Sequence, residues 1–161
     1  MDDATLREQN RHSWNAAVAA HASHRPHLAA FLRAGALTLF PEECALLGAV
    51  AGLRLLHLMC NTGQDTLSLA ALGAEATGVD LSDAAVAEAQ RLSAASGIAA
   101  RFVQADVYAF LATAPAASFA RVYGGYGVIC WLHDLATFAH GVARVLAPGG
   151  RFVLMEFHPA S

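Results

Sequence analysis

The sequence predicts an α/β fold: a doubly wound, mostly parallel sheet with helices on both faces and a helical segment in front of it. Two observations carry this reading. From residue 53 onward, short apolar runs alternate with helix-forming stretches, the rhythm of successive βαβ units. In addition, 56% of the 161 residues are apolar and only 14% charged, as expected where most strands are buried on two sides within one domain. Right-handed crossovers then restrict such a chain to a doubly wound topology, and 3-2-1-4-5 is the expected strand order.

Taken in order, residues 1–50 read as a helical cap and 51–161 as the core. Trp14, Ala17 and His21 recur at helical spacing, and Leu28, Phe31 and Leu32 continue an apolar face. Pro26 and Gly35 interrupt that face. Pro41-Glu42-Glu43 opens a further short helix, ended by Gly48 or Gly52, because proline suits a first helical turn and acids favour its positive end. Leu53–Met59 is the first strand and Asp65–Leu72 the helix behind it. Ala74–Val79 is the second strand. Ser82 caps a helix over Asp83–Ala95, which Gly97 ends. Arg101–Gln104 is the third strand, Val107–Leu111 a short helix and Ala120–Gly124 the fourth strand. Leu132–Leu146 is a helix closed by Pro148-Gly149-Gly150, and Arg151–Phe157 the fifth strand.

Charge and composition exclude several classes. The net charge is −3 and there is no basic stripe, so nothing points to nucleic acid. Cys44, Cys60 and Cys130 are odd in number and far apart. That fits neither a disulfide framework nor a CxxC metal pair, and suits a reducing cytoplasm. The N-terminus lacks the apolar stretch of a signal peptide, and no apolar run reaches a membrane span. All ten Lys or Arg residues are arginines.

Three strand ends carry chemistry. The turn Met59-Cys60-Asn61-Thr62-Gly63-Gln64-Asp65 offers residues that tolerate a left-handed backbone, and its amides can hold an anionic group. Asp80, with Leu81 beside it, ends the second strand about twenty residues after that turn, where an acid can accept hydrogen bonds from ribose hydroxyls. Asp106, followed by Val107, ends the third strand, where it can accept from an exocyclic amine while an apolar neighbour covers the base. Taken alone, Asp80 could be a helix-terminal acid, though its spacing from Gly63 favours the ribose, whereas Asp106 reads first as a helix cap. In series, their spacing lets one adenosine span all three.

The runs HLMCNTGQDTLSLAALGAEATGVDLSDAAVAEAQ, YGVICWLHDL and LAPGGRFVLMEFHP resemble class I S-adenosylmethionine-dependent methyltransferases of a small-molecule subgroup, and NRHSWNAAVAAH resembles that subgroup's opening helix. The resemblance implies a Rossmann-like core binding S-adenosylmethionine and releasing S-adenosylhomocysteine, with a small-molecule acceptor methylated at O, N or C. It implies that Met59, Cys60, Asn61 and Gly63 cradle the methionine end, that Asp80 binds the ribose and that Asp106 and Val107 bind the adenine. Tyr126 and Gly127 would lie near the sulfur, and Trp14 and Asn15 would fold over the cofactor. The broad family's acid-x-Gly-x-Gly-x-Gly is here His57-x-Met59-x-Asn61-x-Gly63. The acid is therefore missing, and Asp65 is a candidate to replace it as the partner of the cofactor's amine. A nicotinamide-dependent oxidoreductase is the competing reading, but its Gly-x-Gly-x-x-Gly turn is absent, as is the lysine of a Tyr-x-x-x-Lys pair.

The family's last two strands have no counterpart after the fifth. RFVLMEF is therefore expected as an exposed apolar edge, to be completed by another chain or by self-pairing in a homodimer, unless the domain is a truncated product. Truncation would favour a cofactor-binding module without turnover. His133, Glu156 and His158 are the candidates for a general base, needed only if the acceptor has a proton to lose. His12, His21, His24 and His27 lack a completing cysteine or acid, so no metal is expected.

Overall fold

The computed structural model describes residues 3–23 and 27–157, without the side chains of 3 and 19–23. Three helices come first: α1 (Asp3–Ser23), α2 (Leu28–Arg33) and α3 (Pro41–Leu47). The core follows as β1 (Arg54–Leu58), α4 (Gln64–Ala71), β2 (Glu75–Asp80), α5 (Asp83–Ser96), β3 (Arg101–Gln104), α6 (Val107–Thr113), β4 (Phe119–Gly124), α7 (Leu135–Val145) and β5 (Leu146–Leu154). The five strands form one sheet in the order β3-β2-β1-β4-β5, parallel throughout. This is the doubly wound order expected from the alternating pattern.

Period-two alternation sorts the strand side chains onto two faces. Leu56 and Leu58 of β1 pack with Val122, Leu111 and Val142 on the side of α6 and α7. Leu55 and Tyr123 turn the other way, toward Leu47 and Leu69 of α3 and α4. Burial on both faces explains why β1 reads as a continuous apolar run. It stops at Leu58 rather than Met59 because Met59 already adopts a left-handed backbone, φ 53°. Ser82 caps α5 as expected, its hydroxyl accepting from the Ala85 amide at 3.0 Å, and Gly97 ends that helix with φ 75°.

Two boundaries in the last third differ from expectation. The helix expected from Leu132 starts at Leu135, because the Asp134 carboxylate caps it by accepting from the Thr137 amide at 2.9 Å. A single 3-10 turn over Ile129–Trp131 precedes it. The fifth strand, expected over Arg151–Phe157, runs over Leu146–Leu154 and includes Pro148-Gly149-Gly150. A register break opposite Phe119 and Arg121 absorbs these residues as a bulge. An outermost strand tolerates a proline there, since the missing N–H faces no second neighbour. Among the described residues β5 pairs with β4 alone, the edge position expected of it.

Candidate functional site

The strand order reverses at β1, between β2 and β4, and a cleft opens beyond the carboxyl ends of these strands. Its volume is about 860 Å³. Of the residues singled out from sequence, Trp14, Met59, Cys60, Asn61, Asp65, Asp80, Leu81, Asp106, Val107, Tyr126 and His133 line it. The carboxylates at the tips of β2 and β3 therefore face one shared space.

The turn after β1 is stitched to the tip of β2. Cys60 N–H donates to the Val79 carbonyl at 2.9 Å, and Asn61 N–H donates to Asp80 Oδ2 at 2.7 Å. Ser82 N–H donates to Asp80 Oδ1 at 2.9 Å. Each Asp80 oxygen keeps a lone pair for a ligand hydroxyl. Burial pushes the Asp80 carboxyl above the usual range, against the pull of these amides. The turn pays a conformational cost: Met59 and Asn61 are left-handed non-glycine residues, φ 53° and 50°, at roughly 1–2 kcal/mol each. Backbone strain of this kind concentrates at ligand sites. Cys60 between them is buried, and burial together with the Asp80 charge pushes its thiol pKa up, so it is inert packing.

Asp106 caps α6, Oδ1 accepting from the Ala109 amide at 3.1 Å, and stands 3.9 Å from the Arg7 guanidinium. Cap and ligand readings are compatible, because the other carboxylate oxygen is left for the cleft. Helix α1 reaches across this side. Leu6, Arg7, Asn10 and Trp14, spaced as one helical face, line the cleft. Trp14 meets Trp131 edge to face at 5.3 Å. Asn15, expected over the cofactor, instead pins α1 to the start of α5. Its side-chain oxygen accepts from the Ser82 hydroxyl at 2.6 Å, and its amide donates to Asp83 at 2.9 Å.

Gly63 and Glu156 stand apart from the cleft lining. A Cβ on Gly63 would come within 2.6 Å of both Ala89 and Phe102, and its φ is 75°. This glycine thus lets α4 pack onto α5 and β3. Glu156 lies past the end of β5, where it accepts from the Gly127 amide at 3.0 Å and the Ile129 amide at 2.6 Å. It fastens the loop after β4. His133 lies on the cleft wall with its ring 4.7 Å from Tyr108. His158 lies outside the described residues, as does His24. Among the described residues no group of three His, Cys, Asp or Glu is placed to hold a metal, and no helix is long and apolar enough to cross a membrane.

Sequence reasoning missed the face of α1, although the spacing of Arg7, Asn10 and Trp14 is a readable stripe. It also left open what His57 does. His57 is buried on the cleft wall, its Nδ1 2.8 Å from the Thr66 hydroxyl and its ring 4.7 Å from that of Tyr123. Burial pulls its pKa down to about 3, so the imidazole is neutral at physiological pH.

The cleft fits a nucleoside-bearing cofactor by its own chemistry. Acids stand at two adjacent strand tips. The buried Asn61 side-chain oxygen has no partner among the described residues. Gly125 on the wall leaves space that a side chain would fill.

Strand order, turn and paired acids together define a Rossmann-like domain of the class I S-adenosylmethionine-dependent methyltransferase fold. Residues 55–150 match the family described as Methyltransferase domain, and the chain belongs to that family. It is 36% identical over 111 residues to a demethylmenaquinone methyltransferase of Thermus thermophilus, a match covering 66% of this chain and 48% of the relative. Among solved structures, it is 30% identical to an S-adenosylmethionine dependent methyltransferase from Mesorhizobium loti, with a TM-score of 0.65 over 74% of this chain and 53% of that one. It is 28% identical to the glycopeptide N-methyltransferase MtfA complexed with S-adenosylmethionine, with a TM-score of 0.60 over 70% and 50% of the two chains. The chain thus spans about half the length of the curated relatives it matches.

Proposed function

We infer that the chain binds S-adenosylmethionine across the tips of β1, β2 and β3 and presents its methyl group to a small-molecule acceptor. The observation that carries this reading is the convergence of Asp80 and Asp106 on one cleft beside the strained turn after β1. Asp80 accepts from the ribose hydroxyls. Asp106 accepts from the adenine amine, with Val107 and Leu81 against the nucleoside. Met59, Cys60 and Asn61 border the methionine end, and Gly63 holds the turn's geometry from behind.

The cofactor, when bound, supplies a methyl group already activated as a sulfonium. The chain's own task is then alignment and exclusion of water, which can account for most of the acceleration. Tyr126 and Gly127 line the wall beyond β4 where an acceptor would enter, and Glu156 holds that loop through the Gly127 and Ile129 amides. His133 is the base candidate on the cleft wall. Glu156, occupied by two amides, acts as a positioning residue, and a role for His158 is tested by the His158→Ala variant. Exposed Phe40, Tyr126, Trp131 and Phe157 offer apolar ring surface at the rim. This suits a flat, apolar acceptor, and the named substrate of the curated relatives makes demethylmenaquinone the first to try. Free Cys44, Cys60 and Cys130 suit a reducing compartment such as the cytoplasm.

Cofactor binding without turnover is the second reading, and both share the same cofactor site. Calorimetric titration with S-adenosylhomocysteine tests the common part. Wild type is expected to bind in the micromolar range, about −8 kcal/mol. Asp80→Ala should lose about 30-fold or more, since hydrogen bonds to a charged group are worth roughly 1.5–3 kcal/mol. Equal affinity in both proteins removes Asp80 from the site. Methyl release to an acceptor panel then separates enzyme from binding module.

A further inference from the structure

We propose that Tyr108 is a positioning residue: through its ring and hydroxyl it transmits occupancy of the adenine end of the cleft to His133, the base candidate on the loop after β4. The proposal rests on the cofactor reading above and adds the residue that joins its two ends.

Residues 125–134 lead from β4 to α7 with a single 3-10 turn as their regular structure. Such a segment leaves backbone amides to be satisfied by side chains from elsewhere. Glu156 takes the Gly127 and Ile129 amides near the start. At the far end the Asp134 amide donates to the Tyr108 hydroxyl at 3.0 Å. Asp134 is the N-cap of α7, so its N–H lies outside the ladder of that helix. Its carboxylate is occupied by the Thr137 amide at 2.9 Å and the Thr137 hydroxyl at 2.6 Å. Tyr108 therefore supplies an acceptor that α7 does not.

His133 stands next to this second anchor. Its ring lies 4.7 Å from the Tyr108 ring, tilted by 54°. One phenol thus holds both the backbone after His133 and a face of its imidazole. Tyr108, Leu132 and His133 all line the cleft. Tyr108 and Leu132 are half-buried and pack on the core cluster that contains Leu58, Val107 and Val128, whereas His133 is exposed. Orienting an exposed side chain costs rotamer entropy, and a ring contact beside a tethered backbone offsets that cost.

Tyr108 also follows Asp106 and Val107, the pair assigned to the adenine. A base seated against Val107 narrows the freedom of the neighbouring phenol, and the phenol carries that restriction to Asp134 and His133. Order at one end of the cleft then favours order at the other with no change of fold.

The test follows the full chain by NMR with S-adenosylhomocysteine as the probe. It reads hydrogen exchange at the Asp134 amide and the imidazole signal of His133, identified by its loss in His133→Gln. In wild type the ligand is expected to slow exchange at Asp134 severalfold and to shift the His133 signal. Tyr108→Phe keeps the ring and removes only the hydroxyl. It should bind the ligand within about threefold of wild type and exchange at Asp134 about fivefold faster, the worth of one neutral hydrogen bond. Its His133 signal should no longer respond to the ligand. A merely structural Tyr108 would lower stability in the variant and leave that response in place, an outcome that overturns the proposal. A wild-type chain that binds the ligand with Asp134 and His133 unchanged overturns it equally, and this measurement decides by itself if Tyr108→Phe does not fold. Failure of the wild-type chain to bind the ligand overturns the cofactor reading itself, a distinct outcome.

Discussion

The two sides of the cleft are assembled differently. On the side of β2 and β3, each acid is held by amides close to it in the turn chemistry: Asp80 by Ser82 and by Asn61 of the adjoining strand end, Asp106 by Ala109. On the side of β4, the contacts join distant parts of the chain. Tyr123 reaches Glu43, Trp131 meets Trp14, and Glu156 returns to Gly127 and Ile129. The first side is a fixed grip built from local geometry. The second is a composite wall whose character depends on how the helical cap and the end of the sheet pack.

The largest effect that sharpens the contrast is expected at Gly63. Gly63→Ala forces a left-handed residue into contacts of 2.6 Å and should cost about 2–4 kcal/mol in denaturant unfolding. A loss under half of that would mean that the fixed side is loosely packed.

Next comes the pH dependence carried by His57. Its folded pKa, about 3, lies below the ordinary 6.5, so between these values the unfolded chain binds a proton that the folded one does not. Its contribution is complete above pH 6.5 and is lost as the pH falls, by about 1.4 kcal/mol per unit. The difference in unfolding free energy between wild type and His57→Phe, followed from pH 7 to pH 5, should change with that slope. A flat difference would place the imidazole in contact with solvent.

On the composite side, Glu156→Ala should cost about 1–2 kcal/mol for two amides left without their acceptor. It should also speed hydrogen exchange at Gly127 and Ile129 while leaving Asn61 and Ser82 protected. Equal acceleration on both sides would break the comparison. Asp106→Ala should cost about 1 kcal/mol as a lost helix cap, together with weaker S-adenosylhomocysteine binding. Restored stability without restored binding in Asp106→Ser would separate its two roles. The smallest effect is expected at the half-buried Arg11, whose pairs with Glu8 and Asp83 lie at the surface. Arg11→Ala should leave the melting temperature unchanged, because exposed ion pairs add little.

Much of the fixed side was legible in the sequence. Ser82 and Gly97 announce the limits of α5, and Asp80 and Asp106 announce the strand tips, because caps and turns depend on residues within a few positions of each other. The role of Glu156 was not legible, since an acid beside an apolar strand gives no sign of which distant amides it meets. The bulge in β5 escaped for a similar reason: Pro148-Gly149-Gly150 reads as a stop unless the strand is known to lie at the edge with one neighbour. The buried set of Glu43, Tyr123 and His57 joins three elements that no local spacing connects.

By itself the amino-acid order determined the succession of helices and strands, the parallel doubly wound sheet and the two acids at its tips. Apolar period and turn chemistry act over short stretches of chain, and crossover handedness leaves few ways to arrange the result. Only the tertiary structure decided which face of α1 covers the cleft, which acid the Tyr123 hydroxyl meets and what Glu156 holds. Those outcomes depend on the packing of segments far apart in the chain, where side-chain volume and burial, rather than local backbone preference, set who meets whom.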